Sequence, residues 1–137
     1  MQQGAEKCAC LHLRSAARLV TKRYDEALAP SGLLAGQFSM LNFIAESPGC
    51  GVATLAQWLS MSVSTATRNL RPLLASGHIS MRSSSTDGRR REVRLTAKGR
   101  RALDKAVALW VKAQRDLVKE FGSDRYDVLL GLLAELR

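Results

Sequence analysis

The sequence predicts a mainly α fold with one small β-hairpin, and three observations predict it. Apolar residues recur at three- and four-residue spacing through most of the 137 residues, the mark of helices with one buried face. Period-two alternation is confined to Ile79, Met81, Val93 and Leu95, which flank a turn at Thr86, Asp87 and Gly88. A long helical pattern without interruption follows Thr96. A chain of this length is one ordinary domain, able to bury about two thirds of the surface its unfolded form exposes, so one core is expected over residues 1–137.

Each element has its own signal. In residues 10–28 the stripe is Leu13, Ala16, Ala17, Val20, Tyr24, Ala27 and Leu28, and Pro30, Ser31 and Gly32 stop the helix. A second helix buries Phe38, Leu41, Ile44 and Ala45 and breaks at residues 47–51, a loop that holds Cys50. A short helix over 53–60 turns Leu55, Ala56 and Leu59 inward. The fourth, over 63–76, has Ser62 as its N-cap and Gly77 as a left-handed stop. Its inward stripe is Val63, Ala66, Leu70 and Leu73 or Leu74, while Ser64, Thr65, Thr67, Arg68 and Arg71 face outward. Pro72 removes one backbone hydrogen bond and implies a kink or tightened turn.

After the hairpin, Thr96 caps a helix that runs to about Phe121 on the stripe Leu103, Ala106, Val107, Trp110, Ala113, Leu117 and Phe121. Gly122 and Ser123 end it. The last helix, with Val128, Leu129, Leu130, Leu132, Leu133 and Leu136, is apolar over most of its circumference, and a second copy of the chain is the simplest cover for it.

The charge balance asks for a polyanionic partner. The chain carries 21 Lys plus Arg against 12 Asp plus Glu, a formal +9, with a pI of about 10.2. Between positions 78 and 101 stand seven Arg and one Lys against one Asp and one Glu, so a net +6 of that charge belongs to one region. At 5% aromatic residues the chain lacks the stacking platforms of single-strand binders. It also lacks an apolar run of bilayer-spanning length and a signal-peptide pattern at its start, so a cytoplasmic protein is expected.

Two short helices joined by a tight turn, the second with a small, polar and basic outer face, form a helix-turn-helix. Followed by a basic hairpin and a long helix, they suggest the winged form. Here the sequence resembles the MarR family of dimeric bacterial transcription regulators, whose wing carries the pattern DxRxxxxxLT and then a glycine. Asp87, Arg89, Leu95, Thr96 and Gly99 stand at those positions. The resemblance implies dimerisation helices at 1–30 and 102–137 around a DNA-binding lobe at 33–101. It also implies a homodimer on a pseudo-palindromic double-stranded operator, with the fourth helix in a major groove.

In the wing, the resemblance has Arg89 reach a minor groove, where narrow walls concentrate negative potential. Asp87 would pair with a neighbouring arginine, and Gly88 would shape the tip. Arg90, Arg91 and Arg94 would meet phosphates or solvent. Strand alternation puts Arg90 and Arg94 on one face with Glu92, opposite Arg89 and Arg91. The bland alternative is a solvated run of charge.

Three cysteines, an odd number, do not make a disulfide framework. Helical phase puts Cys10 on the buried stripe of the first helix and Cys8 off it. The segment resembles the organic-hydroperoxide-sensing, OhrR-like branch of the family, which implies that oxidation of Cys10 releases DNA and that Tyr24 hydrogen-bonds its thiolate across the dimer. The sequence departs from that branch near Ala35, where a second tyrosine is missing, and has no cysteine in its C-terminal helices. As a purely structural residue, Cys10 would be a small buried hydrophobe.

Cys8, Cys10 and His12 do not converge on one metal ion, because Cys10 points away from the other two. His12 and His78 have no nucleophile and carboxylate to complete a triad, and no phosphate-binding glycine loop is present. No metal, cofactor or enzymatic activity is therefore expected. The regulator would be a repressor released by oxidation at Cys10 or by a small molecule between the two lobes. The competing readings are a sequence-nonspecific nucleic-acid binder of the same fold and a thiol-based peroxide-reducing protein.

Overall fold

The computed structural model describes residues 4–86 and 88–137, and the expected fold class is what it contains: helices at both ends and a small antiparallel sheet between them. The helices are α1 (Ala9–Leu28), α2 (Ala35–Glu46), α3 (Val52–Trp58), α4 (Val63–Ala75), α5 (Ala97–Phe121) and α6 (Ser123–Ala134). The strands are β1 (Cys50–Gly51), β2 (Ile79–Ser83) and β3 (Arg91–Leu95), in the order β1-β3-β2.

Local chemistry fixes the joints. Beyond α1, Pro30 sits in a single 3-10 turn, and Gly32 at φ +77° reverses the chain. Asp25 of α1 then accepts a hydrogen bond from the Ala35 amide at 2.7 Å, so one helix caps the next. Ser62 caps α4 by accepting from the Thr65 amide, and Thr96 caps α5 by accepting from the Gly99 amide, each at 3.1 Å. The helical assignment of α4 runs through Pro72.

The core lies between α2, α3, α4, α5 and the sheet, with Leu41, Ile44, Leu55, Leu70, Leu73 and Val93 sealed inside. Leu28 and Leu33 close it from the α1 side. Phe38 of α2 stacks on Trp110 of α5, ring centroids 5.9 Å apart, and ties the lobe to the long helix. No single helix among the described residues is long and apolar enough to cross a membrane.

Four expectations need correction. Cys50 is not in a loop: it is buried in β1 opposite Val93. Val63 does not face inward but is 51% exposed, because a residue in the first turn of a helix points back past the helix end, beyond the core. Cys10 is exposed, as is Leu13, because none of the described residues covers the first half of α1. Val107 and Phe121 are exposed as well: Val107 stands at the edge of the face that carries Leu103, Ala106 and Leu117, and Phe121 is the last residue of α5. Asp87 lies outside the described residues.

Candidate nucleic-acid interface

The outer face of α4 is built from its cap outward. The Ser62 hydroxyl takes the Thr65 amide and lies 2.9 Å from the Thr65 hydroxyl and 3.1 Å from that of Ser64. This gathers three hydroxyls at the positive end of a 13-residue helix, where amides and dipole favour an anion. Ser64, Arg68 and Arg71 are exposed, and Thr65 and Thr67 are half-buried. The Thr67 hydroxyl donates to the Val63 carbonyl at 2.8 Å, so its proton is used within the helix.

The wing is anchored at its base and exposed at its tip. Met81 pairs with Val93 and Ile79 with Leu95, placing the apolar alternation on the core side. On the opposite face Arg94 lies 3.6 Å from Glu92. Arg89, Arg90 and Arg91 are all exposed, as is Gly88.

Sequence reasoning missed what the base rests on. Gly49 and Gly51 flank Cys50 and leave room for wing arginines to cross β1. A Cβ on Gly49 would stand 2.7 Å from an Arg94 guanidinium nitrogen, and one on Gly51 would stand 3.0 Å from Arg90 Nε. Gly49 also has φ +79°, which favours glycine in its own right. The Gly-Cys-Gly spacing was the available signal. Burial pushes the Cys50 thiol up, against a smaller opposing pull from Arg90.

The two redox candidates stand apart. Cys10 is exposed in the first turn of α1, and Tyr24 lies fourteen residues on, about 21 Å along the helix at 1.5 Å per residue. The Tyr24 hydroxyl donates to Gln114 at 2.5 Å, and Gln114 donates in turn to the Tyr126 hydroxyl at 2.5 Å. Burial, and then the neighbouring Tyr126, raise Tyr24 above the ordinary phenol range. A cavity of about 450 Å³ opens between α1, α2 and α4, with Thr21, Gln37, Met40, Met61 and Arg68 in its lining. Arg68 thus belongs both to the α4 face and to the cavity wall.

Known proteins share this fold. Residues 31–90 match the MarR family model. The transcriptional regulator MosR of Mycobacterium tuberculosis, solved in complex with DNA, is 39% identical with a TM-score of 0.81, over 94% of this chain and 97% of that one. The chain belongs to the MarR family. The MarR-type fold extends to the transcriptional repressor CouR, solved on a 23-mer DNA duplex, at 27% identity and a TM-score of 0.86 over 99% of this chain and 96% of that one. A helix-turn-helix-type transcriptional repressor of Mycobacterium tuberculosis is 34% identical over 83 residues, which span 61% of this chain and 60% of the relative.

Proposed function

We propose that this MarR-family chain is a homodimeric, sequence-specific regulator of transcription, acting as a repressor on a pseudo-palindromic double-stranded operator. The observation that carries the reading is the placement of two basic, exposed surfaces on one rigid lobe: the α4 face and the wing. Ser64, Thr65, Thr67, Arg68 and Arg71 read or brace a major groove, and Arg89 enters the flanking minor groove. Arg90 and Arg91 neutralise phosphates beside it, and Asp87 and Gly88 shape the tip. Residues 33–101 form the DNA-binding lobe, while 1–30 and 102–137 pair with a second copy. Apolar side chains left exposed on α1 and α6, Leu19 and Leu132 among them, support that pairing. The relatives solved on DNA support the choice of partner.

Release follows from one of two events. An oxidant reaches the exposed Cys10 thiol, or a small molecule fills the cavity against Arg68 and draws it from the α4 face. The first predicts that Cys10→Ser retains DNA binding and loses its response to organic hydroperoxide in an electrophoretic shift assay; a variant still released by oxidant would clear Cys10 of sensing.

DNA binding itself is tested by Arg89→Ala. Its affinity for the duplex that the wild type selects from a random pool should fall by about 1 to 3 kcal/mol at physiological salt. Unchanged affinity would remove Arg89 from the groove. A wild type that binds scrambled duplex equally well would reduce the protein to a nonspecific binder.

A further inference from the structure

The turn that follows α4, residues 76–78, is held by the N-terminal end of α5. The last carbonyls of a helix have no partners within it. Here three consecutive carbonyls just past α4 are taken by the start of α5. Lys98 Nζ donates to the Ser76 carbonyl at 2.6 Å, and the Thr96 hydroxyl donates to the Gly77 carbonyl at 2.5 Å. The Thr96 amide donates to the His78 carbonyl at 3.1 Å. Gly99 is pressed against the same place: a Cβ there would lie 1.9 Å from the His78 carbonyl oxygen. That is backbone, which cannot swing aside as a side chain can.

The sign of the charge says which helix Lys98 serves. A cation in the first turn opposes the dipole of its own helix, and the first turn of α5 has no acidic residue to offset it. On the Ser76 carbonyl, at the C-cap of α4, the same ammonium has the favourable sign. Lys98 therefore stabilises the end of the reading helix at some cost to the helix that carries it.

We propose that Thr96, Lys98 and Gly99 are positioning residues: a stiff joint that fixes the angle between the reading helix α4 and the long helix α5, and so sets the distance between the two reading helices of a dimer. Leverage makes the angle matter. The 25 residues of α5 span about 37 Å, so a change of about 5° at the joint displaces the far end by about 3 Å. Two half-sites one turn of DNA apart hold their readers about 34 Å from one another and do not absorb such an error. The joint rests on the dimeric, palindrome-reading function proposed above.

The test compares the palindromic duplex selected by the wild type with the same duplex carrying one scrambled arm. Gly99→Ala should remain helical and dimeric, lose about tenfold or more in affinity for the palindrome, and change by less than about twofold on the single arm. Moving the two arms apart or together by one base pair should recover part of the loss. Lys98→Met should act in the same direction and Lys98→Arg should bind as the wild type does; if Gly99→Ala fails to fold, this pair decides. Equal losses on both duplexes would make Lys98 a simple phosphate contact and overturn the joint, as would no loss at all. A wild type that sediments as a monomer, or that prefers no palindrome, overturns the underlying reading, whereas a palindrome-binding dimer indifferent to these substitutions overturns the joint alone.

Discussion

The lobe of α2, α3, α4 and the wing, and the terminal helices, dispose of their apolar residues in opposite ways. In the lobe, Leu70 is 0% exposed and is surrounded by residues of its own chain; on α6, Leu132 is 59% exposed and no residue of that helix is buried. Both segments are rich in leucine, so composition does not separate them. The lobe folds onto three strands and four helices that converge, whereas among the described residues α6 packs chiefly on the end of α5. One part of the molecule is finished by its own sequence; the other, in the dimer proposed above, is finished by a second copy.

The largest effect that would sharpen this contrast is in the lobe. Leu70→Ala should cost about 2 to 5 kcal/mol in a urea or thermal melt, since the cavity it leaves is walled by side chains with nowhere to go. A cost below about 1 kcal/mol would mean the lobe core is looser than its packing implies.

Next comes the open surface. Leu132→Asp should leave a monomer at micromolar concentration by analytical ultracentrifugation, losing about 1.5 to 3 kcal/mol of pairing for the buried leucine and more for the charge. A variant that remains dimeric would put the partner surface elsewhere.

The smallest effect is in pH. Burial, and then Lys98, hold His78 below its ordinary value of 6.5. Above that value the imidazole is neutral in both states; as pH falls through it, the unfolded chain takes up a proton first and the lobe loses stability. The carboxylates of Glu120, held down by Arg23, and Asp116, held down by Lys112, act in a lower window. Their contribution is present above ordinary carboxylate values and disappears as pH falls through the depressed ones. Chemical melts at about pH 7.5 and 5.5 should therefore differ less for His78→Gln than for the wild type. An identical difference would exclude His78 as a source of the slope.

Much of the lobe was legible because its signals are local. Ser62, Gly77 and Thr96 announce helix ends through their own chemistry, and each does so in the structure. The two-residue strand β1 was not legible, since two positions cannot display an alternation and the seat of Arg90 and Arg94 is made by absent side chains at Gly49 and Gly51. Cys10 failed for another reason. A helical stripe says that a face is apolar without saying which chain lies against it: the end of the α1 stripe, Tyr24 to Leu28, is covered here, and its start at Cys10 and Leu13 is not. The joint between α4 and α5 was half visible: Thr96 and Gly99 stood out as motif positions, but the His78 carbonyl that makes Gly99 necessary comes from a residue 21 positions earlier.

The sealed position of Cys50 gives the protein a clock. Cys8 and Cys10 are exposed on this chain, whereas Cys50 is buried in the strand that pairs with β3, which carries Arg91 and Arg94. Cys50 is reached only when β1 peels from β3, so the lag in its reaction with a thiol reagent measures how often the wing lifts. Read once without DNA and once with it, that interval reports whether a bound duplex pins the hairpin down, using an atom the sequence already supplies.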